Sequence, residues 1–141
     1  MRSNTSCETE DVAEQPRDVG VERLIPILFV RDIAAEKRFY TELGFSITYE
    51  GPEFPGFIAL GSGQIEFGME QRDDFDDTSP RRTLLWQFGI ADVDASRAVL
   101  DAMELPYTEE TIAPTENWTY RVLRTTTPNG YDLLLEGPRE A

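Results

Sequence analysis

Residues 24–30, Leu-Ile-Pro-Ile-Leu-Phe-Val, are apolar throughout, and the pattern then changes to a helical period. The run predicts a strand buried on both faces, with Pro26 where one amide need not pair. Asp32 offers an N-cap; Ile33, Phe39, Tyr40 and Leu43 recur at helical spacing, and Gly44 ends the helix. Residues 45–50, 56–60 and 64–69 then read as three short strands, separated by Gly-Pro-Glu-Phe-Pro and Gly-Ser-Gly turns. The unit is β-α-β-β-β.

Sixty residues on, the pattern returns: Ile90-Ala91-Asp92-Val93-Asp94-Ala95 echoes Val30-Arg31-Asp32-Ile33-Ala34-Ala35. Val99, Leu100, Met103 and Leu105 fall on Phe39, Tyr40, Leu43 and Phe45. Residues 84–90 become the second module's first strand, and Asp92 caps a helix running through Glu104. Strands follow near 106–110, 119–126 and 131–136, with Thr127-Pro128-Asn129-Gly130 turning into the last. The expected organisation is an acidic disordered tail at 1–22 and a single domain at 23–141. Within it, module 1 covers 23–69, a charged linker with Ser79-Pro80 covers 70–83, and module 2 covers 84–137. Neither module alone can cover its sheet, so two must join, within or across chains.

Composition narrows the chemistry. The 141-residue chain has no histidine, which removes imidazole acid–base catalysis, Ser-His triads and the usual ligands of zinc and iron. Its single cysteine, Cys7, lies in the polar tail and allows no internal disulfide. The net charge is −14, of which the tail, with six acids against two arginines, supplies −4. Such a surface repels nucleic acid and anionic membrane, keeps the protein soluble, and draws in cations. The longest apolar run is too short to span a bilayer and no signal peptide is evident, so the expected location is the cytoplasm.

Pro26-x-Leu28-x-Val30-x-Asp32, Phe39-Tyr40, Leu43-Gly44-Phe45, Trp118-x-x-Arg121-x-Leu123 and Pro128-Asn129-Gly130-Tyr131 stand in the order seen in another group of proteins. Over residues 23–137 the chain resembles the vicinal oxygen chelate superfamily of glyoxalases, bleomycin-resistance proteins and extradiol dioxygenases. The resemblance implies an α+β fold, two βαβββ modules forming a cleft or incomplete barrel, completed in a homodimer. One departure is Thr127, where the family turn usually has Asp. Metal-dependent members place one ligand on the first and last strand of each module. By position these fall at Ile25, Glu66, Leu85 and Leu134, and three of the four are aliphatic. No metal and no cofactor are therefore expected.

What remains is a cleft. Strand parity turns Ile25, Ile27 and Phe29 toward it, with Gln64, Glu66, Leu85, Gln87, Asp132, Leu134 and Glu136, and Tyr120, Val122 and Arg124 on the seventh strand. Trp118 and Tyr120 offer rings for a planar ligand, although aromatics at such positions more often serve core or dimer contacts. Trp86 and Phe88 have core parity. Glu66 is the residue to single out, because a carboxylate in an apolar strand must be solvated, paired or bound. Its candidate partners are Arg121, Arg124 or a cationic ligand; Arg121 itself reads as structural, tying the last hairpin to a carboxylate. The expectation is metal-free binding of a hydrophobic or cationic small molecule, as in drug or antibiotic sequestration. An alternative is a cofactor-free isomerase, cyclase or hydrolase with Glu66 as base and Tyr120 as proton donor. A third is a cleft serving only dimerisation.

Overall fold

The structure, a computed structural model, describes residues 19, 20, 22–74 and 84–141. Most of the tail and linker inferred from the sequence lies outside the described residues.

Two aspartates start the two helices. Asp32 accepts from Ala35 N at 3.1 Å ahead of α1 (Ile33–Glu42), and Asp92 accepts from Ala95 N at 3.0 Å ahead of α2 (Val93–Ala102). Both helices end in the same closing bond, Phe45 N to Tyr40 O and Leu105 N to Leu100 O, each 3.0 Å. The residue that must adopt positive φ there is Gly44 (+108°) in the first module and Glu104 (+57°) in the second. The repeat thus preserves the turn while its second copy lacks the glycine that suits it.

Around α1 lie β1 (Ile27–Val30), β2 (Ser46–Glu50), β3 (Phe57–Ser62) and β4 (Ile65–Gln71), in sheet order β1-β4-β3-β2. Around α2 lie β5 (Trp86–Gly89), β6 (Tyr107–Thr115), β7 (Trp118–Thr126) and β8 (Asp132–Glu136), in order β5-β8-β7-β6. In each sheet the first strand runs parallel to the last and the other pairings are antiparallel. The α+β class and the two βαβββ modules expected from the sequence are present. β6 extends well beyond residues 106–110, reaching Thr115 through an irregular register after Ile112. It is an edge strand, which tolerates Pro114 and its run of polar residues.

The two sheets share one core. Leu28, Val30, Leu60, Phe67 and Met69 of the first module and Phe88, Leu123, Leu133 and Leu135 of the second are buried in the same cluster. Each such side chain contributes roughly 1.5–3 kcal/mol by leaving water. Tyr40 sits at the junction: its ring packs edge-on against Phe67 and Phe88, and its hydroxyl receives Trp86 Nε1 at 3.1 Å. Because the helix-bearing faces meet in this core, the opposite faces of the two sheets look away from each other. The expectation that residues 24–30 are buried on both faces is corrected: Leu28 and Val30 are buried, but Ile27 and Phe29 are 49% and 42% exposed. Among the described residues no element of the chain lies over that side.

A polar latch crosses the core. Glu36 is fully buried and accepts from Tyr40 Oη at 3.0 Å and from Asn129 N and Nδ2 at 2.8 and 3.0 Å. Asn129 Oδ1 accepts from Arg31 N and Asp32 N, both 2.9 Å, and Nδ2 donates to Asp32 O at 2.8 Å. The second module's last turn is thereby fastened to the first module's helix start, and Tyr131 Oη adds a bond to Phe29 O at 2.6 Å. Thr127 does with its hydroxyl what the resemblance assigned to aspartate, accepting from Tyr131 N at 3.1 Å. In the repeat Ser96 stands where Glu36 does, and its hydroxyl turns back to Asp92 O. Among the described residues no equivalent latch forms there, and a hollow of about 290 Å³ remains between Ser62, Ile65 and α2.

Candidate functional site

On β4, Glu66, Gly68 and Glu70 alternate with buried Phe67 and Met69, so they share the open face of the first sheet. Strand pairing sets Gly61, Ala59 and Phe57 beside them on one side, and Ile27 and Phe29 on the other. A register irregularity at Thr48 brings both Thr48 and Tyr49 to this face. Thr48 Oγ1 bonds Glu66 Oε2 at 3.3 Å, and Tyr49 packs 6.2 Å from the Phe57 ring.

The face is polarised along its strands. At one end Ser46, Thr48, Gly61, Ser62, Gln64 and Glu66 line an open groove of about 520 Å³. At the other end the rings of Phe29, Tyr49, Phe54 and Phe57 gather, with Phe54 5.8 Å from Tyr49. The outer edge of the Phe57 ring sits over Gly68: a Cβ added there would stand 2.7 Å from two ring carbons. Gly68 is needed for that close approach. Each acid of this face already holds an arginine. Arg23 Nη1 is 3.4 Å from Glu66 Oε1, and Arg72 Nε is 2.9 Å from Glu70 Oε2 while its guanidinium stacks 4.2 Å above the Phe29 ring.

The second sheet's open face carries Leu85, Gln87, Asp132, Leu134, Glu136, Val122, Arg124 and Tyr120. Gln87 Nε2 donates to Glu136 Oε1, Arg124 lies 3.9 Å from Glu110, and Leu85 is half exposed whereas Leu134 is buried. Trp118 and Tyr120 stack at 5.6 Å near the β6–β7 tip, with Arg139 over the Trp118 ring at 4.2 Å. A hollow of about 390 Å³ lies between Leu85, Pro106, Thr108, Arg124 and Asp132. Arg121 has the opposite parity: it joins Asp94 at 3.1 Å and Glu109 at 3.4 Å, a network that also includes Arg97. Those carboxylates hold the Arg97 and Arg121 guanidiniums above their usual pKa. Arg121 is therefore structural.

The site residues inferred from the sequence fall into two groups. Ile25, Ile27, Phe29, Gln64 and Glu66 belong to the first module, Gln64 in the β3–β4 turn rather than in a strand; the others belong to the second. Within one chain the two faces do not meet, and Glu66 and Tyr120 are not partners. Neither Arg121 nor Arg124 reaches Glu66, whose bonds go to Arg23 and Thr48. Arg23, Thr48, Tyr49 and Phe57 were not singled out from the sequence. Arg23 carried a signal, since it continues the odd-numbered parity of Ile25, Ile27 and Phe29.

A metal does not fit. Ile25, Leu85 and Leu134 offer no donor atoms, and among the described residues no group of three or more His, Cys, Asp or Glu could hold an ion. No helix among the described residues is long and apolar enough to cross a membrane.

The sequence profile of the Glyoxalase/Bleomycin resistance protein/Dioxygenase superfamily matches residues 21–135, and the chain belongs to that superfamily. No curated protein sequence matches it. Among solved structures, the bleomycin resistance determinant encoded on the transposon Tn5 shares 17% identity at a TM-score of 0.60, covering 83% of this chain and 98% of that one. A bleomycin-binding protein complexed with bleomycin shares 18% at 0.58, covering 84% and 99%. The fosfomycin resistance protein FosX from Mesorhizobium loti shares 17% at 0.62, covering 84% and 93%. At these identities the likeness concerns the fold.

Proposed function

We propose that the protein binds a hydrophobic or cationic small molecule without a metal. The ligand is held between the first-module face of one chain and the second-module face of a second copy. The observation that carries this reading is Glu66: a carboxylate on a face that, besides Glu70 and Thr48, is built mainly from Ile27, Phe29, Tyr49, Phe57, Ala59 and Gly68, bordering a groove of about 520 Å³. Its bonds go to an exposed arginine and a threonine, so its charge is offered outward. Apolar walls with a few polar groups are the composition of a small-molecule site. Exposed Ile27, Phe29 and Leu85 on the two faces give a second copy something to cover. The bleomycin complex of a relative supports sequestration of a drug or antibiotic as the purpose. The net charge of −14 favours a cation. The acid–base alternative finds no support in one chain, since Tyr120 stands on the other sheet.

The test is calorimetric titration of candidate ligands with a chelator present, alongside sedimentation analysis. We expect a dimer, and binding that survives the chelator and weakens about tenfold in Glu66→Gln, the worth of one partly exposed charged hydrogen bond. Binding that disappears with the chelator, or turnover of the ligand abolished by Glu66→Gln, would refute the proposal.

A further inference from the structure

The first-module face already contains the kind of group its carboxylate selects. Arg23 lies on the chain just before β1, its side chain 73% exposed, and its guanidinium reaches back to Glu66 at 3.4 Å. A contact so exposed adds little to stability, so it yields readily to a competitor. Next along β4 is Gly68, with the Phe57 ring laid over it and the Tyr49 ring beside that. This end of the face presents aromatic rings tilted to one another, Tyr49 at 42° to Phe57 and 62° to Phe54, and Arg72 already lays its guanidinium on the Phe29 ring there.

We propose that this face recognises a molecule carrying a planar ring and an ammonium or guanidinium group about 7 Å apart, the advance of two strand residues from Gly68 to Glu66, and that Arg23 holds the cation position until such a ligand displaces it. The ring rests on Phe57 and Tyr49, the cation pairs with Glu66, and Thr48 fixes the second carboxylate oxygen. Arg23 then acts as a built-in competitor. It weakens binding of every cation while keeping Glu66 from standing unpaired when the site is empty. This inference rests on the proposed function and adds to it the ligand's chemical class and a residue that tunes affinity.

The experiment titrates the full chain with benzylamine, 3-phenylpropylamine, 6-phenylhexylamine and the uncharged 3-phenylpropanol, following backbone resonances of Gly68 and Phe57 at fixed ionic strength. The expected order places 3-phenylpropylamine first. Arg23→Ala should tighten its binding about two- to fivefold, the fold-change equivalent of an exposed ion pair. Lys37→Ala changes the net charge equally but removes a contact to Glu50 on the helix side; it should leave binding unchanged. An equal gain in Lys37→Ala would reduce the effect to bulk charge and overturn the inference. Equal binding of amine and alcohol, both shifting Gly68 and Phe57, would overturn it too while leaving the proposed function standing. Absence of any shift on either sheet face with every compound would overturn both.

Discussion

Replacing Asn129 with alanine tests whether the two modules are fastened by the buried latch or only by their shared apolar core. The side chain uses its full hydrogen-bonding capacity: Oδ1 accepts from Arg31 N and Asp32 N, and Nδ2 donates to Asp32 O and Glu36 Oε1, all within 2.8–3.0 Å. The Asn129 backbone N–H to Glu36 survives the substitution, as does the Tyr40 hydroxyl bond. Three of the lost bonds are neutral and only partly buried, so water replaces them in part, at roughly 0.5–1 kcal/mol each. The fourth leaves the buried Glu36 carboxylate one donor short, at roughly 1.5–2 kcal/mol. The total is about 3–5 kcal/mol. In urea, with a slope of about 2 kcal/mol/M, the midpoint falls by about 1.5–2.5 M with the slope unchanged. Asn129→Asp has nearly the same shape but removes the donor and faces Glu36 with a second carboxylate; it should lose at least as much. A loss under about 1 kcal/mol in the alanine variant, or an aspartate variant as stable as the parent, would refute the assignment of the latch.

Other consequences follow from the same geometry. Glu104→Gly relieves the positive φ that Gly44 carries freely in the first module and should raise stability by about 0.5–1 kcal/mol in the same urea assay; a loss would mean the Glu104 side chain matters more than its backbone. Gly137→Ala should cost about 2–3 kcal/mol, because its Cβ would collide with Val93 and crowd the Arg121 carbonyl; an unfolding midpoint like the parent's would show that α2 shifts freely. Burial, and then the Glu36 carboxylate, hold the Tyr40 phenol well above its ordinary value. An unfolded tyrosine ionises near pH 10, so the stability Tyr40 supplies is intact below that pH and is lost as pH rises toward the folded value, by up to about 1.4 kcal/mol per pH unit. Tyr40→Phe should be less stable at pH 7, and its unfolding free energy should fall less steeply above pH 10; parallel profiles would refute this.

Some of the site was readable residue by residue. The parity of Ile27, Phe29 and Glu66 needs only strand periodicity, and each was placed on the face it occupies. Glu36 was not singled out, although it precedes Tyr40 by one helical turn and so had to share the buried side of α1. A carboxylate on an apolar face gives no sign of its satisfaction when its donor comes from a turn ninety-three residues away. From sequence Asn129 reads only as a turn former, for the same reason. From sequence β6 ends near residue 110, because an exposed edge strand needs no apolar alternation and Thr111 to Thr115 reads as loop.

The sequence by itself determined the two modules, their helix starts, and the alternation that divides each strand's residues between its two faces. Caps, periods and turns act over a few residues, and the repeat supplies each signal twice. Only the tertiary structure decided that the helix-bearing sides meet in one core and leave the open sides apart. Only it decided that Glu66 pairs with Arg23 and that Phe57 lies on Gly68. Those outcomes depend on contacts between segments distant along the chain, where several polar partners satisfy the same carboxylate equally well and packing selects among them.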